Sequence, residues 1–455
     1  MASRDLTTGP VFWVLTRMSA PMSLGILGVL SVGIADAYFL GQLGGAPLAA
    51  VGFIYPVTAA ITSLAIGLSA GANSAVSQAI GGGDDKHKTG RLALHAFGLG
   101  GALSLAVGLL FWLFSQPLFT VMGASDDVLA EIALYTPFWA LSFPFLVLMM
   151  LTNAVFRAHG DSMTAAGVMF GVAVINIGLD PIFIFGWGFI PAMETGGAAL
   201  ATFIARVLGA AAIIFWAIRQ GLLSLGDQPT RNVPKSVYTI SKVGLPAAFS
   251  NAINPAGMAA VTAAVATLGD AAVAGFGAAT RVQSVALVVL LALSAGIGPV
   301  VGQNWGAKRY ERARAAVLSA WSICLVYGIA MAAGLFVFAD IIAAWIAPNA
   351  EEQAYTAQYL RIVSWSLFGY GVVVTANAAM NARSKAVYSM SLSLGRVFAI
   401  YLPGAWLGVW AFGYVGVLGA AIAANLLAVV AAIWMARRTG LLATGKPAIK
   451  KAFAA

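Results

Sequence analysis

Residues 63–81 read SLAIGLSAGANSAVSQAIG, and residues 288–306 read VVLLALSAGIGPVVGQNWG. Both runs are apolar and close to the length of about 20 residues that a membrane-crossing helix needs. Superposed at an offset of 225 they share Leu68/Leu293, Ser69/Ser294, Ala70/Ala295, Gly71/Gly296, Gln78/Gln303 and Gly81/Gly306. The same offset, without a gap, pairs Pro21 with Pro246, Leu43 with Leu268, Gly44 with Gly269 and Gly52 with Gly277. Later, Asn153-Ala154 matches Asn377-Ala378 at 224, and Gly197-Ala198-Ala199 matches Gly419-Ala420-Ala421 at 222. So steady a spacing marks a duplicated unit, not a chance likeness between glycine-rich helices.

Composition agrees. The 455 residues are 60% hydrophobic and 9% charged, whereas a soluble domain carries roughly a quarter charged residues. Apolar runs recur from Phe12 to Ala436, and no ten-residue alternation of the outer-membrane barrel type is present. Spans are placed near 12–40, 46–80, 92–113, 130–153, 164–188, 195–218, 237–267, 271–303, 315–340, 353–378, 389–411 and 416–436. The predicted fold is an all-α membrane protein of twelve transmembrane helices in two parallel six-helix repeats. Its expected parts are a first lobe at 1–218, a linker at 219–236 with Gly226, Pro229 and Pro234, a second lobe at 237–436 and a basic tail at 437–455. Phe12–Leu40 reads as a retained span, because no small-residue cleavage site follows a short apolar core. The lone Cys324 permits no internal disulfide.

Basic residues alternate between connectors. Lys86, Lys88 and Arg91 follow span 2, Lys308, Arg309, Arg312 and Arg314 follow span 8, and Lys446, Lys450 and Lys451 lie in the tail. The alternate connectors hold no Lys or Arg but carry Asp126, Asp127, Glu194, Asp270, Glu351 and Glu352. This asymmetry predicts an inner-membrane protein with both termini in the cytoplasm, and it accounts for the net charge of +9 without nucleic acid. Spans 1 and 7 both start in the cytoplasm, so the halves repeat about an axis normal to the membrane, a geometry of alternating access.

An ionisable residue inside a span is a functional hypothesis by default. Asp36 lies near the outer end of span 1, Asp180 near that of span 5, and Thr202 at a similar depth in span 6. Asn176 stands one turn before Asp180, on the same face. Two carboxylates, an amide and a hydroxyl suit a proton or Na+, since hard cations take oxygen ligands. Structural pairing is the alternative, with Arg206, one turn below Thr202, as the available partner. The repeat places Val261 opposite Asp36 and Leu402 opposite Asp180, so the fold does not need the acids. Arg281, Arg361 and Arg396 in the second half are expected to be paired or to snorkel, and Asp340 to be solvated. Pro21 removes a helix hydrogen bond and is expected to kink span 1, either as a static kink or as a moving hinge. No metal cluster, Ser/His/Asp set or phosphate-binding loop is present, so neither an enzyme nor a cofactor is expected.

At these residues the chain resembles the multidrug and toxic compound extrusion (MATE) transporters, and within them the DinF-like branch. The stretches that carry the likeness are ADAYFLGQLG (35–44), NAVFRAHGD (153–161), NIGLDPIFIF (176–185), GAALAT (197–202) and VGQNWG (301–306). The resemblance implies two six-helix lobes around a central cleft and export of organic, cationic or amphipathic, drug-like compounds in exchange for H+ or Na+. It implies a cation site of Asp36, Asn176, Asp180 and Thr202, and a cavity-lining role for Asn153. A second branch has acids in spans 7 and 10, where this chain has none. The expected protein is a monomer in the lipid bilayer, with small-molecule substrates. Against a major-facilitator transporter, whose signature is G-x-x-x-D-R-x-G-R, residues 81–91 read GGGDDKHKTGR. A lipid-linked-oligosaccharide flippase would line its cavity with basic residues, where this first lobe has acids. A channel or receptor would need neither a repeat nor coupling acids.

Overall fold

The structure is a computed structural model that describes residues 5–223 and 229–443. Gly226 of the expected linker and Lys446, Lys450 and Lys451 of the tail lie outside the described residues. In chain order the first helices are α1 (Val11–Gly41), α2 (Gly45–Gly81), α3 (Lys86–Val121), α4 (Asp126–Ala158), α5 (Ser162–Phe185) and α6 (Glu194–Arg219). They are followed by α7 (Val233–Ala266), α8 (Asp270–Ala286), α9 (Val288–Gly306), α10 (Tyr310–Val337) and α11 (Ala339–Ile346). The last are α12 (Ala350–Val363), α13 (Leu367–Ala382), α14 (Ala386–Leu394) and α15 (Leu402–Arg438). A short 3-10 stretch, Ser364–Ser366, joins α12 to α13, and a π-helical turn, Gly395–Tyr401, joins α14 to α15.

Among the described residues, ten helical stretches are long and apolar enough to cross a membrane. One of them, Ala386–Arg438, runs for 53 residues and breaks at Gly413, where φ is 61°, so it holds two passages. The 34-residue α7 falls short of the same hydropathy because Ser250, Asn251 and Asn254 interrupt it. α8 and α9 form one passage bent at Leu287, the counterpart of α2. Counted this way the described residues make the twelve passages expected from the sequence. The short α11 was not foreseen; it fills part of the connector expected at 341–352. α1 continues as helix through Pro21.

The helix ends follow local chemistry. Asp85 caps α3 by accepting from the Lys88 N–H at 2.7 Å, and Asp161 caps α5 by accepting from the Thr164 N–H at 3.0 Å. Each side-chain oxygen satisfies an amide that the first helical turn leaves unpaired.

Two compact units result, and their boundaries differ from the expected division. One unit is built from Pro21–Ala248; the other combines Leu6–Ala20 with the chain from Phe249 onward. The first turns of α1 therefore belong to the second unit, and the first half of α7 to the first. Close helix approach at glycine is the physical reason. In the first unit, a Cβ on Gly67 would lie 2.4 Å from the Ala248 amide nitrogen, and one on Gly71 2.4 Å from the Ile240 carbonyl oxygen. In the second unit, a Cβ on Gly296 would lie 2.2 Å from Ser19 Oγ. Gly71 and Gly296 are the same position of the repeat, and each admits the helix that starts outside its own half of the chain. Small residues at such contacts drive helix association where no water is available to do so.

Hydrogen bonds fix the lead-in segments as well. The Leu6 N–H donates to Gln303 Oε1 at 3.0 Å, Asn304 Nδ2 donates to the Leu6 carbonyl at 3.1 Å, and Arg309 Nη1 to the Thr7 carbonyl at 2.6 Å. In the first unit His95 Nε2 donates to the Pro229 carbonyl at 2.7 Å, just ahead of α7.

Candidate cation-coupling site

Four helices of the first unit, α1, α4, α5 and α6, bring the polar residues together. Asp180 is fully buried, Asn176 is 2% exposed and Thr202 8%. Asn176 Nδ2 donates to Asp180 Oδ1 at 3.4 Å and to Thr202 Oγ1 at 3.3 Å. The one-turn spacing of Asn176 and Asp180 puts both on the α5 face that meets α6. Asp36, half-buried on α1, stands within hydrogen-bonding reach of Asp180. All four residues expected of the cation site thus converge.

Three acceptor oxygens in this cluster, Asp36 Oδ1, Asp180 Oδ2 and Asn176 Oδ1, are buried without a donor. Native interiors leave few such atoms unsatisfied, and each one demands an explanation. A proton shared between the two carboxyl groups removes part of the deficit; a sodium ion held by carboxylate, amide and hydroxyl oxygens removes it another way. The donor set fits both, being oxygen only. Among the described residues there is no group of His, Cys, Asp and Glu suited to a transition metal.

Arg206 is close by. Its Nη1 donates to Ser142 Oγ at 2.7 Å and its guanidinium lies over Trp139, 5.9 Å from the ring centroid. The ionisable groups acting on it are Tyr135 and Asp36. Arg206 thus offsets one of the two negative charges while hydrogen-bonding a serine, and with both acids ionised the cluster keeps one uncompensated charge. Tyr135, Trp139 and Ser142 on α4 carry no charge that would mark them in the sequence. Tyr135 sits about 13 Å along α4 from Asp126, at nine residues and about 1.5 Å each, a depth argument that finds it.

Asn153, the expected cavity residue, is 2% exposed on α4, with its Oδ1 unpartnered, and shares no hydrogen bond with the cluster. In the second unit, Val261 is fully buried in an apolar cluster and Leu402 packs against that cluster. Of the three arginines expected to be paired or snorkelling, Arg361 pairs with Asp340, Arg396 is buried among amides, and Arg281 is exposed. Asp340, expected to be solvated, therefore has an ion partner, though an exposed one of little energetic weight.

Comparison with known proteins gives the family. The MatE family model matches residues 21–182 and again 246–407, two matches set apart by the offset of the repeat. The chain is 33% identical over 438 residues to a protein named FAD transporter from Shewanella oneidensis, covering 95% of this chain and 96% of that one. It is 25% identical to the multidrug export protein MepA of Staphylococcus aureus, over 93% of each chain. Among solved structures, a mutant of the Vibrio cholerae MATE transporter VcmN superposes with a TM-score of 0.89 at 30% identity, over 95% of this chain and 98% of that one. The protein belongs to the MATE family, and is a membrane transporter rather than an enzyme.

Proposed function

We propose that the protein is a secondary active efflux antiporter of the inner membrane, with both termini in the cytoplasm. It exports organic, cationic or amphipathic drug-like compounds in exchange for H+ or Na+, working as a monomer with no resident cofactor. The observation that carries this reading is the set of buried, donorless oxygens around Asp36 and Asp180, at positions where the second half holds Val261 and Leu402.

The chemistry follows from desolvation. A charged carboxylate needs water, a donor or a cation around it, and a proton or sodium ion removes that need. Loading the cluster therefore favours a closed arrangement of α1, α5 and α6, and unloading favours an open one. A ligand shifts such an equilibrium only through its different affinity for the two states. Export against a gradient requires that cargo and cation bind opposite states, so each lowers the apparent affinity of the other. Pro21, at the boundary between the two units, is the hinge about which α1 bends.

Efflux into inverted vesicles tests the proposal. Asp36→Asn and Asp180→Asn are each expected to reduce ion-driven accumulation of ethidium to the level of empty vesicles, with normal amounts of protein in the membrane. A variant that accumulates at the wild-type rate removes that acid from the coupling site. A second reading, export of flavin adenine dinucleotide, is favoured by the relative named FAD transporter. Accumulation of that dinucleotide but not of ethidium in the same vesicles would select it.

A further inference from the structure

The second unit holds a buried cation with no anion beside it among the described residues. Arg396 lies in the π-helical turn Gly395–Tyr401 and is 9% exposed. Such one-residue insertions in a helix occur frequently at functional sites. Its Nη2 donates to Asn254 Oδ1 at 2.5 Å and its Nη1 to Asn425 Oδ1 at 3.2 Å. The guanidinium lies over Tyr370, with 5.4 Å between Cζ and the ring centroid. Asn425 is held in turn, donating from Nδ2 to Ser366 Oγ at 2.9 Å. Nε of Arg396 is buried and has no acceptor.

Among the described residues no carboxylate offsets this charge. The ionisable groups acting on Arg396 are the phenols of Tyr370 and Tyr401. The acids of this unit are elsewhere: Asp340 pairs with Arg361, Glu311 with Arg314, and Asp270, Glu351 and Glu352 occupy the first turns of α8 and α12. A guanidinium stays charged in proteins and offers five N–H donors in a planar fork. Amide oxygens orient that fork but leave the charge uncompensated, and a buried charge facing only dipoles is costly. A purely structural cross-link between α7 and α15 would need neither the charge nor a buried free Nε. Arg206 in the first unit, by contrast, has Asp36 among its neighbours.

We propose that Arg396, framed by Asn254, Asn425 and Tyr370, is an oxyanion subsite, so that the cargo carries a carboxylate or phosphate group as well as an apolar body. Tyr370 and Asn254 are only half-buried, which leaves a way in. Phe398, two residues after Arg396, and Met258, one turn after Asn254, expose 43% and 37% of their surface, apolar area able to meet an aromatic frame. The inference rests on the transport reading and adds the class of cargo to it. A planar fork suits the two oxygens of a carboxylate or phosphate, and charge-assisted bonds of this kind are the strong ones.

The test uses the purified full chain in detergent and two dyes followed by fluorescence polarisation. Rhodamine B carries one free carboxylate; its methyl ester lacks it and is otherwise the same. The wild type is expected to bind the acid about tenfold more tightly than the ester, the worth of one charge-assisted bond. Arg396→Gln should bring the two dyes to within about twofold while leaving the ester's affinity unchanged, and Arg396→Lys should keep part of the preference. Inorganic phosphate should displace the acid and not the ester. A wild type that binds both dyes equally overturns the proposal, whether or not the glutamine variant folds. So does an Arg396→Gln that weakens both dyes alike. Loss of the acid's preference on adding phosphatidylglycerol would assign the subsite to a lipid headgroup instead of cargo. Failure of the transport reading has a different signature: no efflux of ester from vesicles, with the acid–ester difference intact.

Discussion

The two units keep the same framework around different chemistry. Tyr135 and Ser142 of the first repeat correspond to Tyr359 and Ser366 of the second, at the offset of 224 that also pairs Asn153 with Asn377. In the first unit Tyr135 stands within electrostatic reach of Asp36, Asp180 and Arg206. In the second, Tyr359 donates to Gln283 Oε1 at 2.7 Å and packs in the apolar cluster with Val261. The phenol and the serine stay where the helices cross; the acids come and go. The acidic cluster is therefore an addition to a scaffold that stands without it.

The largest expected effect comes from moving a charge across that comparison. Val261→Asp would set an unpaired carboxylate in a fully buried apolar position, at a cost of about 3–5 kcal/mol. Loss of the monodisperse peak in size-exclusion chromatography is expected, whereas Asp36→Val should leave the first unit folded. A stable, monodisperse Val261→Asp would show that the second lobe accepts charge as readily as the first. Next come the paired glycines. At Gly71 a methyl group meets the Ile240 backbone carbonyl, but at Gly296 it meets the movable Ser19 hydroxyl first. Gly71→Ala is expected to cost about 2–3 kcal/mol and Gly296→Ala about 1 kcal/mol, read as midpoints of thermal unfolding. Equal losses would mean that the rigid carbonyl and the movable hydroxyl resist the added methyl group alike.

A smaller effect works in the other direction. After α2 and α4 the chain takes positive φ at Gly83 (78°) and Gly160 (81°), but the matching positions of the second half are Lys308 (59°) and Ser384 (61°). Side chains pay about 1–2 kcal/mol in that conformation. Lys308→Gly and Ser384→Gly should each stabilise the protein by about 1 kcal/mol, and a drop in unfolding temperature would refute the idea.

The smallest effect is a pH dependence confined to the first unit. His159, just past the end of α4, is half-buried and its Nδ1 donates to the Val155 carbonyl at 2.9 Å. Burial lowers its pKa below the ordinary 6.5, with the Lys86 charge adding to the effect. The folded state then holds fewer protons there than the unfolded state, so stability falls as pH drops below 6.5. Its counterpart in the second half, Arg383, does not titrate in this range and lies over Trp305 at 4.2 Å. His159→Gln should flatten part of the loss of stability between neutral pH and pH 5.5; an unchanged slope would exclude His159 as its source.

Much of this was legible in the sequence because hydropathy, charge and repetition are local signals. Membrane spans show as long apolar runs, and Asp36 and Asp180 stand out because an acid in such a run is rare. What escaped depends on which helix meets which. Nothing near Leu6 says that it belongs with Gln303, and Gly67 and Gly71 look like any glycines until α7 lies across them. α7 itself reads as a weak span because Ser250 and Asn254 serve partners far along the chain, Ser393 at 2.6 Å and Arg396. Tyr135 was overlooked because a phenol in an aromatic-rich span carries no charge to mark it.

The placement of Leu6–Ala20 has a consequence for how the protein is made. These residues leave the ribosome well before Gln303 and Asn304, which hold Leu6 and follow 297 and 298 residues later. At roughly 5–20 residues per second the segment waits on the order of 15–60 seconds for its partners. Through that interval the opening turns of α1 lack their packing surface. The second unit closes only when residues 6–20 meet a segment made about 300 residues later, so truncating the chain before α9 leaves residues 6–20, too, without a place to fold.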